Sequence, residues 1–511
     1  MCHPRVLALA LVLGSAWRPL PAQESALHDT SPLVRGCCGV RATTLRARLD
    51  SAPSLDREGN PAALAARDAT SSRLLALGLR DDQGTLRRPQ EALARTEGTL
   101  HAEGVRRLGR WNTAGLVTYV RRRDRDVPWN NSSDAYLGSP YVWADSQGGA
   151  WLRDRVALGA TIASPEWRRL GGGVRLEYGI GQGARRNGPR PLFRRRVLAV
   201  VPGVQWRPSA RQHIGVHGRV GWEAEEMEIG GAGSPDDPVV FRLRGLGTFD
   251  RTQLISAERA LLGRLFGGTV AHAWQGARWA WSTSGSAQLV RDSVRDGIGR
   301  PVPAGASRRV RLDGRVALRR RTETGGAQVA GQLTQETARG TDASFGAVNV
   351  VDEGQTIAVH LERWRGGALV DAERWWRVSA GLARLARRDV VAETEWQTTA
   401  PQIAMAGGTR LGGTGTGGWL VGASAGWRFV ADTSWRADRP TRLTPVLVRP
   451  DFVVHASPEW QGAAGIGYEW RVGTTRARVH GEWSRRTRVG GASLAAGLRT
   501  RDVVQITYSL F

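Results

Sequence analysis

From about residue 97 to its end the chain repeats one local pattern. Stretches of about ten residues alternate strictly between apolar and polar side chains, and breaks rich in Gly, Pro, Asp and Arg separate them. Ile214, Val216, Val220 and Trp222 alternate with His213, Gly215, His217 and Arg219. Val310, Leu312, Val316 and Leu318 alternate with Arg311, Asp313, Arg315 and Arg319, and Trp419, Val421, Ala423, Ala425, Trp427 and Phe429 share one side of a later stretch. Ala477, Val479 and Trp483 oppose Arg478, His480, Glu482 and Ser484. Successive side chains of a strand point to opposite faces, so a period of two predicts β-structure. More than a dozen such strands follow one another without a helical break. In a sandwich the apolar faces of two sheets bury one another. A closed transmembrane barrel instead turns every apolar face to lipid and every polar face to a wet lumen. Closure also pairs every backbone group and leaves no edge. The expected fold is all-β: a transmembrane antiparallel β-barrel of about 16 strands, within 14 to 18, at ~10 residues per strand.

Composition supports the barrel. No apolar run reaches the ~18 residues of a membrane helix. There are 21 Trp against 8 Phe and 6 Tyr. Most Trp stand at the ends of alternating stretches, including Trp111, Trp151, Trp206, Trp222, Trp279, Trp281, Trp376, Trp419, Trp470 and Trp483. Such placement predicts interfacial girdles. The longer breaks, near 122–149, 184–194, 227–237, 291–305, 339–353, 388–393, 407–416 and 432–450, are candidate extracellular loops. At the C-terminus Val504, Ile506, Tyr508 and Leu510 alternate with polar residues up to Phe511. This resembles the last strand of bacterial outer-membrane proteins, which implies that Tyr508, Leu510 and Phe511 form the signal read by the barrel assembly machinery. Phe511, however, is one step out of phase with Tyr508 and Leu510.

Residues 1–22 read as a signal peptide: Arg5, an apolar run from Val6 to Trp17, and Leu20-Pro21-Ala22 before the cleavage point. Residues 23–70 lack sustained alternation and either hang in the periplasm or fold into the lumen as a plug; residues 71–511 form the barrel. Cys37 and Cys38 are open to three readings: a lipoprotein site, a disulfide in an oxidising compartment, or plain thiols. Gly59-Asn60-Pro61-Ala62-Ala63-Leu64 resembles the Asn-Pro-Ala tract of outer-membrane fatty-acid and hydrocarbon transporters. In that family the tract belongs to a hatch inside the barrel, which implies a plug at Asn60, Pro61 and Ala62.

A second resemblance rests on Arg88-Pro89-Gln90-Glu91, Trp129-Asn130-Asn131-Ser132-Ser133-Asp134, Pro140-Tyr141-Val142, Asp145-Ser146-Gln147-Gly148-Gly149 and Arg190-Pro191. The chain resembles an uncharacterised family of outer-membrane barrels about 500 residues long, best known from Bacteroidetes-type bacteria and often encoded beside TonB-dependent receptors. Gly188-Pro189-Arg190-Pro191 departs from the Asp-Pro-Arg-Pro of many members. The resemblance implies the barrel, and a TonB-dependent receptor as partner, but no activity.

Catalytic and metal-binding patterns are thin. His213 and His217 lie on one strand face, but four residues at ~3.3 Å rise set them ~13 Å apart, too far to share an ion. His480, Glu482 and Ser484 form another row suited to a lumen wall. Glu223, Glu225, Glu226 and Glu228 cluster at a strand end, as a solvated loop edge or a cation site near the headgroups. No esterase elbow, zinc-protease helix or phosphate loop occurs. Neither a catalytic set, a metal nor a cofactor is expected.

All 72 basic residues are Arg, against 47 acids, for a net +25. Because these Arg alternate with lipid-facing residues, nucleic acid is not the expected partner. Two uses stay open: an anion-favouring lumen, or contact with outer-membrane lipid and lipopolysaccharide headgroups. Arg175, Arg219, Arg311, Arg315, Arg428 and Arg478, with His213, His217, His480 and Glu482, are the expected lumen-facing residues. The expected function is a channel or accessory component for solute uptake across the outer membrane. The alternatives are a non-transporting, partner-binding barrel and, third, an outer-membrane hydrolase.

Overall fold

The computed structural model describes residues 59–66, 72–136, 139–185, 190–230, 239–252, 256–297, 300–366, 373–412, 417–473, 475–488 and 499–511. The signal-peptide and Cys37–Cys38 readings lie outside these residues. Nineteen strands join in one antiparallel sheet that closes on itself. Two of them, Gly417–Arg428 and Asp432–Ala437, pair with successive stretches of Thr394–Leu411 and form one broken stave. The wall therefore has 18 staves, at the upper end of the expected range. The first, Ser72–Gly84, pairs with the last, Arg499–Leu510, from Leu75 opposite Leu510 to Gly84 opposite Arg501.

Alternation divides the two faces as expected. On Gln212–Gly230 the apolar Val216, Val220 and Trp222 are 50%, 37% and 49% exposed on the outer face, whereas His213, His217 and Arg219 are at most 7% exposed. The same split runs around the wall, so the protein is an outer-membrane-type barrel with a greasy exterior and a polar interior. The girdle reading holds for Trp111, Trp206, Trp222, Trp279, Trp281, Trp376, Trp419 and Trp483, each at least 37% exposed. Trp151 corrects it. It is fully buried on the inner face, its ring 5.7 Å from Phe193, because the odd positions of Trp151–Ala163 point inward.

The connections at the end carrying the termini are short, as at 109–110, 210–211 and 323–324. At the opposite end the expected long breaks behave unevenly. Segments 126–142 and 438–458 are long. The breaks at 339–353 and 388–393 shrink to tight turns of 343–346 and 390–393, because the flanking strands run on through the polar residues. The break at 407–416 is at the wrong end: residues up to Leu411 stay in the strand, and the connection lies with the termini. Residues 85–93 form a connection at the cap end that the alternation did not reveal.

The long connections do not all project outward. Trp143–Asp145, Val240–Leu243 and Phe249–Thr252 form a three-stranded sheet separate from the wall. It packs with Thr444–Val448 and the helix Arg449–His455 around Val142, Ala144, Leu243, Leu443, Leu447 and Val448, against Leu385 and Trp396 of the wall. The side chains of Leu385 and Trp396 point inward, so this core lies inside one mouth of the barrel. It forms a cap.

Candidate functional site

At the termini end a single turn lies against the inner wall. Gly59 takes a positive φ of 79°, which favours glycine, and Asn60 Oδ1 accepts the Ala62 N–H at 3.0 Å, starting the 3₁₀ turn Pro61–Ala66. Asn60 Nδ2 donates to the Val204 carbonyl at 3.0 Å, Arg175 to the Gly59 carbonyl at 2.8 Å and Asn112 to the Leu64 carbonyl at 2.8 Å. Glycines make the seat: a Cβ on Gly173 would come within 2.6 Å of the Pro61 carbonyl carbon, and one on Gly203 would overlap Asn60 Oδ1. Asn60 and Ala62 are buried, at 4% and 0% exposed. Asn60, Pro61 and Ala62 thus sit inside the barrel.

The six candidate arginines all lie on the inner face, mostly in ion pairs. Glu177 pairs with Arg175 and Arg219, each at 2.9 Å, and His217 lines a small pocket with both. Arg311 bonds Asp313 at 2.8 Å, and Arg478 pairs with Glu469, which Arg410 also reaches at 2.9 Å. Arg428 donates to the Val454 and Ser457 carbonyls at 2.9 and 2.8 Å, satisfying the C-terminus of Arg449–His455. Arg315 is half-buried on the inner face. His213 approaches Gln205 at 3.4 Å, and His480 and Glu482 stand inward on Thr475–Arg488. The structure gathers Arg175, Arg219 and His217 near the turn and leaves the rest in separate places. The acidic cluster divides, with Glu223 and Glu225 inside and Glu226 and Glu228 outside, because neighbours on a strand face opposite ways. Phe511 keeps its odd phase: its ring lies 5.5 Å from the Arg478 guanidinium, on the inner face, whereas Tyr508 and Leu510 continue the outer one.

The cap is locked to the wall by buried charge. Asp451 accepts two bonds from Arg88, at 2.6 and 2.9 Å, and one from Arg387 at 3.0 Å; Arg387 also holds Asp352 at 2.7 Å. Burial alone would raise the Asp451 carboxyl, but Arg88 and Arg387 overcome it and hold it well below the usual range. His455 stacks on Trp396 at 5.5 Å, and burial holds its imidazole well below the usual value, reinforced by Arg88, Arg428 and Arg387 and opposed by Asp451. The motifs behind the second resemblance meet here. Gln90 Nε2 donates to the Trp129 carbonyl at 2.7 Å, Ser133 Oγ to Glu225 at 2.5 Å, the Tyr141 hydroxyl to Asn349 at 2.8 Å and Arg185 to Asp145 at 2.6 Å. Between cap and wall lies an open pocket lined by Tyr136, Val142, Leu243, Leu246, Trp396 and Leu447 beside Arg387, Asp352 and Asp451. Sequence reasoning missed Asp451, Arg387 and Trp396. The usable signal was Thr444–His455, a stretch without alternation and with a proline near each helical start.

Several solved structures are similar in outline at low identity. A Pseudomonas aeruginosa FadL homologue is 12% identical, with 90% of this chain and 93% of that one covered at a TM-score of 0.32. The Pseudomonas putida toluene transporter TodX is 11% identical, with 93% and 96% covered at 0.32. The unliganded ferric citrate transporter FecA is 9% identical, with 87% and 79% covered at 0.38. No curated protein matches the chain. A family model does, over residues 61–510, from the first residue of the inner turn to the last residue of the closing strand. The chain belongs to that family, one of unknown function, DUF6850.

Proposed function

We propose that the protein is an uptake channel of the outer membrane, closed at rest by the inner turn at one end and the cap at the other. The observation that carries this reading is the open pocket walled half by the cap and half by the barrel. A solute held there touches the groups that keep the cap docked, so its binding and cap movement are coupled. The aromatic and aliphatic lining beside two carboxylates and a guanidinium suits an amphipathic solute with a charged or polar head. The arginine-rich inner wall then favours anions on the way through. In this reading the end carrying the termini faces the periplasm, Asn60, Pro61 and Ala62 act as a plug, and Tyr508 and Leu510 serve recognition by the barrel assembly machinery.

The test is conductance in planar bilayers. Full-length protein gives little current, whereas removal of residues 23–70 together with replacement of 440–457 by a short Gly-Ser linker gives large, anion-preferring steps. Arg175→Glu with Arg219→Glu weakens that preference. A second reading, a partner-binding barrel beside a TonB-dependent receptor, is favoured by the cap packed into one mouth. A lumen that stays sealed in every variant, with a receptor recovered in stoichiometric amount, would establish it instead.

A further inference from the structure

The outer wall carries a row of like charge that no described residue answers. Arg264 stands directly opposite Arg291, Arg291 opposite Arg308, and Arg308 opposite Arg339, across the four adjacent strands Ser256–Gln275, Trp279–Asp296, Val302–Thr322 and Gly325–Asp342. All four side chains are exposed. They share the outer face with Leu262 and Phe266, which flank Arg264 at 47% and 44% exposed, and with Leu312 below Arg308 at 39%. At ~4.8 Å between strands the row is ~14 Å long. Like charges directly opposite on a sheet destabilise it.

Other arginines of this protein meet carboxylates. Inside, Asp124 takes up Arg95, Arg122 and Arg153. On the outer face Arg194 meets Glu228 at 3.2 Å and Arg485 meets Asp502 at 2.8 Å. Among the described residues no ion pair or side-chain hydrogen bond is found for Arg264, Arg291, Arg308 or Arg339. No described residue supplies the counter-charge, and a ligand outside the chain can. The row lies at the cap end of the greasy belt, where acyl chains against Leu262, Phe266 and Leu312 put headgroups beside the guanidiniums.

We propose that Arg264, Arg291, Arg308 and Arg339 form a binding site for a multiply phosphorylated lipid headgroup in the leaflet at the cap end. Phosphate suits the row because each guanidinium can grip two of its oxygens with parallel N–H bonds. Two phosphates on one headgroup would span neighbouring strands and cancel the repulsion. The site does not depend on transport through the lumen.

The full-length protein is placed in nanodiscs of phosphatidylcholine doped with lipid A carrying both phosphates, and retained lipid is counted by native mass spectrometry after detergent washing. The unmodified protein retains the lipid. Arg291→Gln with Arg308→Gln retains it at least roughly tenfold more weakly, having lost several charge-assisted bonds. Arg320→Gln with Arg363→Gln, exposed arginines at the other end, leaves retention unchanged. Each variant is first shown to be a folded barrel by its heat-dependent gel mobility. Equal retention by the Arg291/Arg308 variant, equal retention of fully dephosphorylated lipid, or complete displacement by inorganic phosphate alone would each overturn the proposal.

Discussion

A buried carboxylate held by two arginines is a one-way device: docked it is stable, but half-dismantled it is worse than nothing. Asp451 is 6% exposed and holds Arg88 and Arg387. Asp451→Ala leaves two guanidiniums in a dry place without their shared partner, a loss of about 3–5 kcal/mol for a buried pair. The expected outcome is a cap that undocks while the barrel persists, read by thiol labelling of Leu447→Cys, a position 8% exposed when docked. His455 adds a pH dependence at the same contact. Burial lowers its affinity for a proton in the docked cap, so the undocked state binds the proton first as pH falls. Docking is therefore strongest above the ordinary imidazole value of 6.5 and weakens below it. Asp451, whose proton affinity is lowered by Arg88 and Arg387 instead of by burial, keeps its contribution above 3.8 and loses it only at still lower pH. Between these limits His455 acts alone. Labelling of Leu447→Cys, normalised to the exposed Val446→Cys, should rise as pH falls through the imidazole range, and His455→Gln should flatten that rise.

At the scale of the element, the inner turn depends on what the wall omits. Pro61–Ala66 lies flat because Gly173 carries no Cβ where the Pro61–Ala62 backbone passes and Gly203 none where the Asn60 side chain and the Pro61 ring pass. Gly203→Ala should lift the turn without disturbing the strand, since the added methyl points inward and its nearest neighbours are Asn60 and Pro61. Accessibility of Ala62→Cys, fully buried in the seated turn, should rise several-fold in Gly203→Ala while gel mobility stays that of a folded barrel. Much of this element was legible, because Asn-Pro is a local turn signal and needs no partner to be read. The cap was not. Its sheet pairs Val240–Leu243 with Trp143–Asp145, and its lock joins Arg88 to Asp451, 363 residues away. Strands of three or four residues carry too little alternation to show a period. Trp151 misled for a related reason: its place at a segment end was visible, but its face depends on a register that only the paired neighbours set.

Over the whole molecule the alternation was enough to specify a barrel and which side faces lipid, because every stave obeys the same rule. It was not enough to count the staves. Turns of two residues leave hardly any break in the pattern, and the stave broken between Arg428 and Asp432 reads as two. Closure itself rests on one non-local seam, between Ser72–Gly84 and Arg499–Leu510. Backbone pairing along the seam is the same as elsewhere in the wall. Its side-chain lock is particular: Asp82, 3% exposed, takes Arg501, also 3% exposed, at 2.5 Å across 419 residues of chain, with Arg80 adding a second contact at 3.1 Å. The pair joins the two ends of the wall, so it should affect how the wall comes apart rather than how any one hairpin does. Arg501→Ala leaves the buried Asp82 with the half-exposed Arg80 as its remaining ion pair and should lower the temperature of the folded-to-unfolded gel transition by several degrees. Asp82→Ala alone should cost less, because Arg501 can still turn toward Glu91, 3.7 Å away. The double substitution removes both charges and should recover part of the loss, as buried pairs do when replaced together. A double variant as labile as the sum of the singles would mean that the pair adds nothing to closure beyond each residue's own packing.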